Sequence, residues 1–133
     1  MKELSSVLSE AIDQALEDME ACKNDPRYEI NFDYWHSPER GKCYVCLAGS
    51  VIAKRFNVPF NELSLPYFFP EKKENILRAL NCVRKGKVSG ALTLMGIEVP
   101  KGLKPYFEFE SKDYNEVVSN VKEISLELKK YNL

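Results

Sequence analysis

Cys43-Tyr44-Val45-Cys46-Leu47-Ala48-Gly49-Ser50-Val51-Ile52-Ala53-Lys54-Arg55-Phe56 decides the reading of this chain. Wound as a helix, the segment is apolar on nearly every side, and such a helix is buried rather than half-exposed. We therefore expect a helix over 43–56 at the centre of the core. Ala48, Gly49, Ser50 and Ala53 are small, so another element can approach closely. Glycine costs about 1 kcal/mol against alanine in a helix interior. Gly49 therefore points to a constraint of space.

Outward from this segment, the flanks supply the rest of the fold. Before it, Trp35 and His36 open a stretch with Pro38 and Gly41 that reads as a loop over 36–42. Tyr28, Ile30, Phe32 and Tyr34 alternate with polar residues, the period of a half-buried strand. Tyr106 to Glu110 alternates in part, so a two-stranded element from 28–34 and 105–109 is expected, covered by helices. Residues 3–23 place Leu4, Val7, Leu8, Ala11, Ile12, Ala15, Leu16, Met19 and Cys22 on one helical face. Asn24-Asp25-Pro26 ends that helix.

After the segment comes a proline- and aromatic-rich connector over 57–70. A helix then carries Ile76, Leu77, Leu80 and Val83 inward and stops at Gly86. A shorter helix is expected near 88–95. A last one begins after Asp113, with Glu116 three residues on in the capping-box arrangement. The fold class is mainly α (α+β), with four to five helices. At 133 residues, 1–133 form a single globular domain able to bury a core unaided.

Net charge is -1, but it is unevenly spread. Residues 1–40 hold 4 basic and 10 acidic side chains, 41–104 hold 11 and 4, and 105–133 hold 4 and 6. Two consequences are open: the basic middle faces an anionic partner, or the acidic terminal helices neutralise it. Near-neutral total charge excludes broad nucleic-acid binding. No apolar run is long enough for a membrane span, and no secretory leader is read at the start. The four cysteines are expected to be reduced thiols, and the location cytoplasmic.

Four chemistries come into question for these residues. Cys43-x-x-Cys46 has zinc-knuckle spacing, with His36 seven residues before it, but no second such pair supplies four ligands. No βαβ pattern precedes Cys43, which argues against thioredoxin-like redox chemistry. His36 with Cys43 or Cys46 would make a small Cys/His enzyme, although no oxyanion signal accompanies them. No phosphate-binding glycine motif is present. Arg84-Lys85-Gly86-Lys87 is a basic turn that serves either as a helix cap or as an anion contact. In the second case Lys54, Arg55, Lys101 and Lys104 are candidates to join it, with Tyr28, Tyr34, Trp35 and Tyr67 available for stacking.

Trp35-His36, Cys43-Tyr44-Val45-Cys46-Leu47-Ala48-Gly49 and Ala79-Leu80-Asn81-Cys82-Val83-Arg84-Lys85-Gly86 together resemble a loose group of small phage and prophage proteins. The likeness spans about residues 32–96. That group has no settled activity, so no catalytic residue carries over. The resemblance implies an accessory protein of a phage or mobile element, of a kind that acts by binding a host component or capturing a small signal. The expectation is a non-enzymatic binding protein for a host protein or a nucleotide-like anionic ligand, with Tyr34, Trp35, His36, Arg84, Lys85 and Lys87 as contacts. No catalytic residue, metal ligand or cofactor is assigned. The alternatives are the Cys/His enzyme and a zinc-stabilised interaction module.

Overall fold

A computed structural model describes residues 2–133. Helix α1 (Leu8–Lys23) is followed by three short strands, β1 (Tyr28–Ile30), β2 (His36–Glu39) and β3 (Lys42–Val45). Helix α2 (Leu47–Lys54) comes next, then a 3-10 turn over Pro66–Phe68 and helices α3 (Glu71–Arg84), α4 (Val88–Leu94) and α5 (Tyr114–Lys129). The described residues thus form an α+β fold of five helices and one small sheet. No helix among them is long and apolar enough to cross a membrane.

The sheet corrects the sequence reading. It has three strands in the order β1-β3-β2. Strand β3 lies between β1, which it joins in parallel, and β2, which it joins antiparallel. Residues 105–109 take no part in it. The expected loop over 36–42 is a hairpin, closed by Arg40 and Gly41 at φ 49° and 85°. Two successive positive φ values match the twist of the flanking strands, and glycine supplies the second at little cost. Pro38 is tolerated because β2 is an edge strand, where a missing N–H breaks no interior ladder.

The expected helix over 43–56 is consequently shortened to the 8 residues Leu47–Lys54. Cys43, Tyr44 and Val45 belong to β3, and Cys46 is the N-cap of α2. Every residue from Leu47 to Ala53 is buried. The apolar run therefore covers a buried strand end followed by a buried helix, two elements that periodicity cannot separate in a continuous apolar stretch. Cys43 and Cys46 do not share a helical face. The Cys46 thiol accepts the Gly49 N–H at 3.3 Å, and the Ser50 hydroxyl donates to the Cys46 carbonyl at 2.8 Å. Cysteine thus takes the place that serine or aspartate usually fills at a helix start.

Helix α1 begins at Leu8, five residues later than expected. Its preceding segment is held instead by side chains: Gln14 accepts from the Ser5 N–H and donates to the Glu3 carbonyl. The apolar faces of α1, α2, α3, α4 and α5 meet in one core containing Leu8, Ile12, Met19, Ile52, Leu77, Leu80, Leu92, Val121, Ile124 and Leu128. A smaller cluster under the sheet gathers Cys22, Tyr28, Cys43, Val45 and Ala53. Asp113 caps α5 as predicted, accepting from the Asn115 N–H at 2.9 Å. Glu116 turns away to take the Ser111 hydroxyl, so the reciprocal half of the capping box is not used.

Charge pairing follows the neutralising alternative for part of the basic middle. Arg55 forks onto Asp18 of α1 through two 2.9 Å bonds. Lys54 reaches Asp25 at 2.8 Å, and Lys104 pairs with Glu123 of α5.

Candidate functional site

Helix α3 ends in a Schellman turn. The Gly86 N–H donates to the Val83 carbonyl at 2.9 Å and the Lys87 N–H to the Cys82 carbonyl at 2.8 Å, with Gly86 at φ 80°. The last carbonyls are therefore capped by backbone. Arg84, in the last turn, is released from that duty. Its side chain points inward, and the residue is only 4% exposed.

Beside Arg84 lies a cleft of about 490 Å³. Phe32, Asp33, Tyr34 and Trp35 line it from the segment between β1 and β2. Cys46 lines it from the start of α2, and Asn81, Arg84 and Lys85 from the end of α3. Glu108, Phe109, Glu110 and Lys112 line it from an extended strap that crosses in front of Gly86. The strap is held by the Phe109 N–H donating to the Lys85 carbonyl at 3.1 Å, by Lys112 on Asp33 at 2.9 Å and by Lys87 near Glu108 at 3.5 Å. A Cβ on Gly86 would stand 2.5 Å from the Phe107 carbonyl oxygen, so glycine is required here for both its φ and its size.

The decisive feature is Arg84 itself. Its guanidinium carbon sits 4.7 Å from the centroid of the Phe32 ring. Among the described residues it forms no ion pair, and Nε has no hydrogen-bond partner. Burial pulls its pKa below the ordinary arginine value, opposed by the neighbouring Cys46 and Asp33. An arginine remains protonated even so. Buried charges are normally paired, because leaving one unpaired costs several kcal/mol. One aromatic face returns about 2 kcal/mol in desolvated cases, which offsets only part of that cost.

Trp35 is half-buried against the main core while lining the cleft. Its carbonyl is fixed from below: a Cβ on Gly49 would fall 1.5 Å from that oxygen. The constraint of space read from the sequence is thus the Trp35 backbone. Tyr34 remains 37% exposed at the rim, its ring 5.2 Å from that of Tyr44.

Of the six residues singled out from sequence, Tyr34, Trp35, Arg84 and Lys85 come together here. Lys87 stands just outside, tied to Glu108. His36 does not join them. It is fully buried on β2, its ring 6.4 Å from Tyr28. Neither ring nitrogen has a hydrogen bond, although the backbones of Glu62 and Val58 lie nearby. Lys54, Arg55, Lys101, Lys104, Tyr28 and Tyr67 are also elsewhere. Sequence reasoning missed Phe32, Asp33 and Asn81, and it missed the strap residues Glu108, Phe109, Glu110 and Lys112, which join the site only through tertiary packing.

Burial favours the protonated form of the Cys22, Cys43 and Cys46 thiols. Desolvation pushes Cys43 up to about 11 and Cys22 up to about 12, and it raises Cys46 as well. A nucleophilic cysteine needs the opposite shift. Neither His36 ring nitrogen bonds Cys43 or Cys46, whose thiols meet backbone atoms instead. Among the described residues no three His, Cys, Asp or Glu side chains converge as a metal site.

Burial lowers the pKa of His36 below the ordinary 6.5. The unfolded chain then binds a proton that the folded chain refuses. Stability contributed by the neutral ring is full above pH 6.5 and falls as pH drops toward the folded pKa. Urea midpoints at pH 7.5 and 5.5 should therefore fall for the native protein, and the fall should be smaller in His36→Leu. An equal fall in both would remove His36 as the cause.

The chain matches no protein family, no curated protein and no solved structure with which it was compared.

Proposed function

We propose that the protein is a non-enzymatic binding protein that captures a small anionic ligand in the cleft beside Arg84. One observation carries this reading: an arginine only 4% exposed that lines a cleft, makes no ion pair among the described residues and has its Nε without a hydrogen-bond partner. An anionic group seated there supplies the missing charge through a charge-assisted, two-pronged contact of the kind arginine favours. Trp35, Tyr34 and Phe109 add flat apolar surface for the body of the ligand. Lys85 has no ion pair among the described residues and adds a second positive charge at the rim. A phage or mobile-element origin fits a role of signal capture and rests on the sequence resemblance alone.

The ligand reading is favoured over a host-protein surface, because the unpaired charge lies in a recess rather than on an exposed face. The enzyme alternative finds little support in three buried thiols with raised pKa values.

Trp35 is the only tryptophan and lines the cleft, so its fluorescence reports occupancy directly. Titration with phenyl phosphate should give a saturable change. In Arg84→Met that response should weaken by at least about tenfold, since hydrogen bonds to charged groups contribute about 1.5–3 kcal/mol. An unchanged titration in Arg84→Met would overturn the reading.

A further inference from the structure

The cleft is not simply basic. Arg84, Lys85 and Lys112 line it together with Asp33, Glu108 and Glu110. Lys112 and Asp33 neutralise each other, and Glu108 is held by Lys87. Removing those pairs leaves Arg84 and Lys85 on the helix side and Glu110 on the strap side, without ion-pair partners among the described residues. A purely anionic ligand satisfies the first pair and is repelled by the third. A ligand with both signs of charge satisfies both sides.

We infer that the ligand is amphoteric: an anionic group against Arg84, a flat body beside Trp35 and Phe109, and a protonated amine against Glu110. This inference rests on the anion-binding reading above and adds to it the second charge. The strap carries both Phe109 and Glu110, so it supplies one wall of the site as well as part of its specificity. The Phe109 N–H bond to the Lys85 carbonyl fixes that wall to the turn bearing Arg84. Both recognition elements are thereby held on one short stretch of backbone. The same charge pattern disfavours polyanions, because an additional negative group on the strap side meets Glu110, which has no ion-pair partner among the described residues.

Two probes separate the two levels of the argument. Tyramine O-phosphate and 4-ethylphenyl phosphate share the phosphate, the ring and the two-carbon arm, and differ by the terminal ammonium. Titrated at low salt through Trp35 fluorescence, the native protein should bind tyramine O-phosphate about tenfold more tightly, as expected for one charge-assisted contact. The preference should shrink as salt rises, because Glu110 is exposed and its field is screened. In Glu110→Gln, whose folding is checked by circular dichroism, the two probes should bind alike. Equal binding by the native protein would overturn the amphoteric inference and leave the anion site standing. A preference that persists in Glu110→Gln would overturn the assignment to Glu110. If neither probe binds, the anion reading itself falls and this inference falls with it.

Discussion

Gly49→Ala is expected to destabilise the protein by about 3 kcal/mol, the upper end of what overpacking usually costs. Helix propensity alone predicts the opposite sign, a gain of about 1 kcal/mol for alanine over glycine. The difference lies in what the new methyl meets. A Cβ at position 49 would fall 1.5 Å from the Trp35 carbonyl oxygen and 2.6 Å from its carbonyl carbon. Backbone cannot swing aside as the end of a flexible side chain can. Either α2 or the segment from Phe32 to Trp35 has to move, and that segment forms one wall of the cleft. Urea denaturation gives the energy, and the Trp35 emission maximum gives the displacement. Unchanged or increased stability would mean that the Trp35 backbone does not lie on Gly49.

Asp18→Ala should cost about 3–5 kcal/mol. The Asp18 and Arg55 side chains are 3% and 5% exposed and share two 2.9 Å bonds. Desolvation pushes the Asp18 carboxyl pKa up, against the pull of Arg55. The pair is thus held at some cost and is worth keeping mainly because a lone partner is worse. Arg55 also donates to the Lys2 carbonyl at 2.8 Å, so its loss of order would free the start of the chain. Replacing both partners, as Asp18→Leu with Arg55→Met, should recover most of the stability. A single variant as stable as the native protein would show the pair to be solvated.

Helices α3, α4 and α5 were legible because their ends are punctuated, whereas α1 starts five residues late and α2 was merged with β3. Gly86 and Asp113 marked boundaries within a residue or two, and Pro70 stands at the start of α3. The sheet was not legible. Its strands run three or four residues, Arg40-Gly41 is not among the usual hairpin dipeptides, and Pro38 argues locally for a loop. The partial alternation over 106–110 is not a strand period: Tyr106 and Phe109 pack inward, Phe107 and Glu108 are both exposed, and the segment is a strap. Phe109 packs on Gly86, while Phe107 is 86% exposed. Half of the cleft was visible as rare residues near Trp35 and a basic turn near Arg84. What sequence could not show was that Gly86 and backbone bonds relieve Arg84 of capping, or that His36 turns away beneath the sheet. Both are consequences of long-range packing.

The stability of Arg84→Met, with and without an anion, tests the central claim most directly. Methionine fills similar space without charge, so removing an uncompensated buried guanidinium should raise the unfolding free energy by about 1–3 kcal/mol in anion-free buffer. Phenyl phosphate should then raise the denaturation midpoint of the native protein and leave that of the variant unmoved. If Arg84→Met is less stable than the native protein and phenyl phosphate shifts both midpoints alike, Arg84 is a structural residue already satisfied within the fold, and the cleft beside it is not an anion site.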